Sequence, residues 1–134
     1  MSQDKIEIVE RFFEARSRGD LSYLELVDPD AEFDLSESRS TYSRIYRGHE
    51  EIRKQWEGLQ EAWAETELRP EDPIVVGEQV VVTVQISAQG RSSGVKLEGQ
   101  GANVFTFSGG KIVHFKLFQT KAEALAAVRA AEGA

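Results

Sequence analysis

The residues best placed to do chemistry are polar side chains set among apolar neighbours. Asn103 stands in "GQGANVFTFSGGKIVHFKLFQ", residues 99–119, which reads as two strands joined at Ser108-Gly109-Gly110. Strand parity places Asn103 on one face with Phe105, Phe107, Val113, Phe115 and Leu117, with Gln119 at the open end of the same run. A buried amide without partners costs roughly 1–3 kcal/mol. Asn103 therefore either meets a neighbouring loop or water, or donates to a ligand carbonyl or oxyanion. Asp34 is the candidate base, because a carboxylate beside an apolar cavity has its pKa raised toward the working range. Strict alternation opposes this, pointing Phe33 and Leu35 inward and Asp34 outward. Tyr42 and Tyr46 each offer a ring for packing and a hydroxyl for positioning.

The two histidines carry less. His114 shares the outer parity with Lys116, and His49 follows Gly48 at a helix start, where a His-Glu-x-x-His zinc motif would need histidine at 53 and finds Arg53. No metal site is indicated. "GQGAN" and "GGKI" lack the spacing of nucleotide loops; Gly99 and Gly101 instead permit a strand to curve.

These residues need elements to hold them. Ile6, Val9 and Phe13, widened by Ile8, Phe12 and Ala15, form an amphipathic helix over 2–18, ended by Gly19. Asp20 caps a short helix carrying Leu21, Leu24 and Val27, and "DPD" at 28–30 breaks the chain before a strand at 31–35. Residues 36–47 read as an irregular loop. Ile52, Trp56, Leu59 and Trp63 predict a helix over 48–67, stopped by "RPEDP". Strands follow at 74–87, 95–107 and 111–119, the first with Val82, Val84 and Ile86 alternating inward. Thr120 and Glu123 form a capping box for a last, alanine-rich helix. Helices first and consecutive strands later indicate an α+β domain with a three-stranded antiparallel meander.

Bulk properties narrow the function. A chain of 134 residues is one domain, and it contains no cysteine, which excludes disulfides, thiol catalysis and zinc–thiolate sites and points to the cytoplasm. No run is long and apolar enough for a membrane span, and "MSQDKIEIVE" is not a secretory signal. A net charge of -7 argues against nucleic acid, whose phosphates need clustered cations. The local basic group of Arg39, Arg44, Arg47, Arg53 and Lys54 is interleaved with Glu37, Glu50 and Glu51 and reads as a solvated mixed face.

"IVERFFEARSRGDLSYLELVDPDAEF", "YRGHEEIRKQWEGL", "VFTFSGGKIVHFKLF" and "KAEALAA", in that order and spacing, resemble the nuclear-transport-factor-2-like superfamily, closest to its SnoaL-like and ketosteroid-isomerase-like bacterial members. The resemblance spans residues 1–134 as a single SnoaL-like domain. It implies a cone-shaped curved antiparallel sheet wrapped around the long N-terminal helix, an apolar cavity, and a homodimer through the outer sheet face. It also implies a small apolar ligand, no cofactor, and either cofactor-independent isomerase, cyclase or dehydratase chemistry on a carbonyl-bearing substrate or non-catalytic ligand-binding, accessory or adaptor work. In the ketosteroid-isomerase pattern the tyrosine of the first helix aligns with Phe12, which cannot donate. The base aligns with Leu35, one residue from Asp34, and the second oxyanion donor aligns with Asn103. The expected site is thus Asp34 as base, Asn103 as oxyanion donor and Tyr46 as positioning group, within walls of Phe12, Trp56, Phe105 and Phe115.

Overall fold

The computed structural model describes residues 2–38 and 43–133. Arg39 and Tyr42 lie outside the described residues. Helix α1, Ser2–Ser17, buries Val9, Phe12, Phe13 and Ala15. It ends at Gly19, whose φ of 71° is the left-handed conformation that glycine adopts without strain. A 3-10 helix, Leu21–Leu26, follows, with the Asp20 carboxylate accepting the Ser22 amide at 2.9 Å as its N-cap.

Strand β1 runs Val27–Asp34, so "DPD" does not interrupt it. Asp28 instead accepts the Asp30 amide at 2.8 Å, and the register against the neighbouring strand shifts between Val27 and Glu32. The polar stretch read as loop contributes a short strand β2, Ile45–Arg47.

Helix α2, Gly48–Ala62, stops before Trp63, whose φ of -124° and ψ of 127° are extended. Trp63 opens β3, Trp63–Val76, and β4, Gln79–Gly90, returns beside it. Two strands thus occupy the region where the sequence indicates the end of a helix and one strand. The reason is positional. β3 is an edge strand carrying Pro70 and Pro73, and its pairing slips between Ala64 and Glu67 and between Glu71 and Ile74. Proline is tolerated at an edge, and an interrupted edge shows no clean alternation.

Strands β5, Lys96–Ser108, and β6, Lys111–Phe118, meet at Gly109 and Gly110, both at positive φ as a primed hairpin turn requires. Helix α3, Lys121–Gly133, closes the chain. The Thr120 hydroxyl accepts the Glu123 amide at 3.1 Å and donates to the Glu123 carboxylate at 3.0 Å, so the predicted cap is present.

The sheet order is β2-β1-β6-β5-β4-β3, antiparallel except for the parallel β1–β6 pair, which corrects the all-antiparallel expectation. It is a curved, unclosed six-stranded sheet holding α1 in its concave face, an α+β fold as expected. Val80, Val82 and Val84 face α1, while Val81, Ala102, Val104 and Phe118 face α3 on the outer side. The β5–β6 pairing shifts between Thr106 and Phe107, which sets Phe107 opposite Ile112. That bulge gives Ile112 the interior place that parity assigns to Val113.

Candidate functional site

The concave face is lined by rings that five elements bring together, α1, the 3-10 helix, β1, β5 and β6. Phe12 of α1 is fully buried, with ring centroids of Phe13, Tyr23, Phe33, Phe105 and Phe115 at 5.4–6.4 Å. Phe33 of β1 stacks on Phe115 of β6 at 4.9 Å. Register extends this as one row across four strands, Tyr46, Phe33, Phe115 and Phe105. The expected wall residues Phe12, Phe105 and Phe115 therefore do meet. Trp56 of α2, 3 % exposed, packs in the same core.

Asn103 stands one row further along β5, opposite Val82 and Leu117, and is 5 % exposed. Its amide has no hydrogen-bond partner among the described residues, and it is not among the polar atoms wholly sealed from solvent without one. The inward amide expected from parity is thus present and unclaimed. Tyr46 sits three strands away, about 14 Å along the sheet at ordinary strand spacing. It is buried in the core, with the Arg44 guanidinium 4.4 Å from its ring centroid.

Asp34 does not join them. Alternation puts it on the face opposite Phe33, where its carboxylate accepts the Ser36 amide at 3.0 Å and lies 3.7 Å from Lys116 Nζ. Partial burial pushes its pKa up, but the hydroxyl and amide of Ser36, with Lys116 and His114, outweigh that and hold it below the ordinary carboxylate value. A base needs the reverse. Gln119, at the open end of the Asn103 run, donates to the Glu37 carbonyl at 2.5 Å. His114 lies 3.8 Å from Glu32 on the outer face, and His49 contacts the Val27 carbonyl at 2.7 Å. No group of three or more metal-ligating side chains occurs among the described residues.

One residue of this interior was not among the candidates read from the sequence. Arg16 of α1 is 5 % exposed, and its guanidinium lies 5.0 Å from the Phe12 ring, 4.8 Å from Tyr23, 5.6 Å from Phe33 and 4.5 Å from Trp56. Its Nη2 donates to Gln55 Oε1 at 3.3 Å, and its main-chain carbonyl accepts the Trp56 indole N–H at 3.0 Å. No carboxylate pairs with it among the described residues. Its Nε and the Tyr23 hydroxyl are both buried without a partner. Burial lowers the Arg16 pKa, with the Tyr23 oxygen working the other way. An unpaired buried ion is disfavoured by several kcal/mol, and a desolvated cation–π contact returns about 2 kcal/mol. The four rings therefore offset much of the burial without supplying a counter-charge. The signal was available: Arg16 falls three and four residues after Phe13 and Phe12, on the apolar stripe itself.

Chemically, this interior offers donors. Its buried polar residues are Arg16, Gln55 and Asn103, with neither acid nor imidazole among them; Thr83 is buried on the outer face beside Val81 and Ala102. Such a set holds or polarises an oxygen and does not take up a proton.

The outer face is partly covered already. α3 buries Val104 and Phe118, leaving His114 and Lys116 half-exposed beside a cavity of about 140 Å³. Of the mixed-charge group, Arg47 pairs with Glu32, Arg44 with Glu51, and Arg53 and Lys54 with Glu50. That is the solvated face the sequence indicates. No helix of the described residues is long and apolar enough to cross a membrane.

Comparison with known proteins agrees with this architecture. A family model described as the SnoaL-like domain matches residues 9–115. Among solved structures, a protein of unknown function from Burkholderia pseudomallei, described as NTF2-like, is 23% identical with a TM-score of 0.77, covering 93% of this chain and 97% of its own. TerC, co-crystallised with polyporic acid, is 16% identical with a TM-score of 0.76, covering 94% and 98%. A Catenulispora acidiphila protein with a ketosteroid isomerase-like fold, in complex with trimethylamine, is 14% identical with a TM-score of 0.75, covering 90% of each chain. No curated protein matches the sequence significantly.

Proposed function

We propose, from the premise that this chain belongs to the SnoaL-like domain family, that it binds a small, mainly apolar, oxygen-bearing molecule in the concave face of its sheet. One observation carries the reading. Asn103 is a buried amide with no hydrogen-bond partner among the described residues, on a face otherwise built from Phe105, Phe115 and valines. A ligand carbonyl can accept from that amide, and the aromatic walls supply apolar contact. The fold neighbour that was crystallised with polyporic acid lends the reading support.

Cofactor-independent isomerisation, cyclisation or dehydration remains the catalytic form of this proposal, with Asp34 as base, Asn103 as oxyanion donor and Tyr46 as positioning group. It requires Asp34 to release Ser36 and Lys116 and reach the opposite face of β1. Binding without turnover needs no such rearrangement and is the form the geometry favours. A homodimer through the outer sheet would form on α3 and the strip around His114 and Lys116, and sedimentation equilibrium gives the mass that decides it.

The test of binding is calorimetric titration with 2-acetonaphthone, an apolar aryl ketone. Binding to the wild type, weakened about tenfold in Asn103→Leu, is the expected result, from the loss of one buried hydrogen bond. Absence of binding to the wild type by both this ketone and its carboxylate analogue 2-naphthoate defeats the proposal, and equal affinity in both proteins removes Asn103 from it.

A further inference from the structure

We infer that Arg16, with Tyr23, is an anchor for the carboxylate of an aromatic acid, so that the ligand of the concave face is an apolar monoanion rather than a neutral ketone. The inference rests on the binding proposal above and names the class of its ligand.

Three observations converge. First, Arg16 is a buried cation whose neighbours supply no counter-charge: Gln55 is a neutral acceptor, and the remaining contacts are the rings of Phe12, Tyr23, Phe33 and Trp56. Second, two of the three fully buried polar atoms left without a partner among the described residues belong to this cluster, Arg16 Nε and Tyr23 Oη. Both can donate, and the Tyr23 oxygen is the one group that offsets the burial of the guanidinium. The Arg16 Nε–H and the Tyr23 O–H, beside a positive charge with no carboxylate partner among the described residues, define an acceptor that is anionic and small at its contact end. A carboxylate has that form, with one oxygen taking the arginine N–H and the tyrosine O–H together.

Third, the surroundings select the body of the ligand. A free inorganic anion would have to shed its water and gain nothing from the rings. An aryl carboxylate places its charge on Arg16 and its ring against faces that now pack on the guanidinium at 4.5–5.6 Å and must part to admit it. The same rings strengthen the ion pair by keeping water away.

The test compares 2-naphthoate with 2-acetonaphthone, which share ring system and shape and differ in charge. Calorimetry at neutral pH on the wild type, Arg16→Met and Tyr23→Phe provides the affinities, with far-ultraviolet circular dichroism on each protein. The expected result is at least tenfold tighter binding of naphthoate by the wild type. Arg16→Met abolishes that preference, and Tyr23→Phe, which removes only a hydroxyl, narrows it several-fold. Equal binding of the two probes by the wild type overturns the anion inference and leaves the binding proposal standing. Binding of neither overturns both. A preference for naphthoate that survives in folded Arg16→Met and in Tyr23→Phe places the anion elsewhere and overturns the assignment.

Discussion

Trp56 holds Arg16 at both ends: its indole N–H donates to the Arg16 carbonyl at 3.0 Å, and its ring lies 4.5 Å from the guanidinium. This ties the last turn of α1 to the middle of α2 and fixes where the buried charge sits.

From that relationship comes a stability test. Arg16→Met keeps the carbonyl that Trp56 uses and replaces the charge with a flexible apolar chain suited to aromatic contacts. Relief of charge burial is set against lost cation–π attraction and an unpartnered Gln55 acceptor. Replacing buried ions with apolar groups of similar volume is commonly neutral or stabilising, so unfolding in urea should place the variant within about 1 kcal/mol of the wild type or above it. A loss of about 3 kcal/mol or more would show that the guanidinium is a structural strut.

Asp34 carries the pH dependence. Ser36, Lys116 and His114 hold its folded pKa below the ordinary 3.8, despite partial burial. The unfolded chain then binds the proton more readily, so the contribution is present above about pH 4 and fades as pH falls through the lower folded value. Asp34→Asn should therefore be less stable than the wild type at pH 7, with the gap closing toward pH 2. Denaturant melts at pH 7, 5, 3 and 2 read this directly. A gap that widens on acidification contradicts the assignment, and a raised pKa by nuclear magnetic resonance would return Asp34 to consideration as a base.

The cap of α3 is open to a simpler measurement. Thr120→Ala removes the hydroxyl that accepts the Glu123 amide at 3.1 Å, one of the otherwise unpartnered donors of the first turn. The expected cost is about 1 kcal/mol. Thr120→Ser should recover most of it, and failure of serine to do so would assign the loss to the methyl group instead.

Much of this architecture is written locally in the chain, and the misses have a common cause. The α1 stripe, the glycine turn at 109–110 and the Thr120–Glu123 cap are each decided by residues within a few positions of one another, so sequence spacing suffices. β3 is decided by its partner: Trp63 continues the spacing of α2, yet it pairs with Gly90, far along the chain. A single extra residue on β6, Val113 opposite the Thr106–Phe107 step, likewise exchanged Val113 for Ile112. The site divides the same way. Asn103 follows from alternation, whereas Arg16 occupies an apolar stripe on which a charge is easily assigned to solvent, and Tyr23 and Gln55 acquire meaning only around it.

Phe12 decides whether this interior can take on a further hydroxyl donor. Its ring is fully buried and edge-packed by Phe13, Tyr23 and Phe105. Phe12→Ala should lose about 3–5 kcal/mol, as large aromatic truncations in sealed cores do. Phe12→Tyr adds one hydroxyl and keeps the ring. If no acceptor reaches that position, the buried O–H goes unsatisfied and the variant loses about 1–3 kcal/mol. The surrounding buried polar groups are donors, Arg16 and Asn103 foremost, although each hydroxyl can also accept from them. Urea unfolding of the two variants separates the cases. A tyrosine variant as stable as the wild type would mean that Arg16 or Asn103 donates to the new oxygen, and that variant should then bind 2-naphthoate more weakly, because the anchor is already occupied.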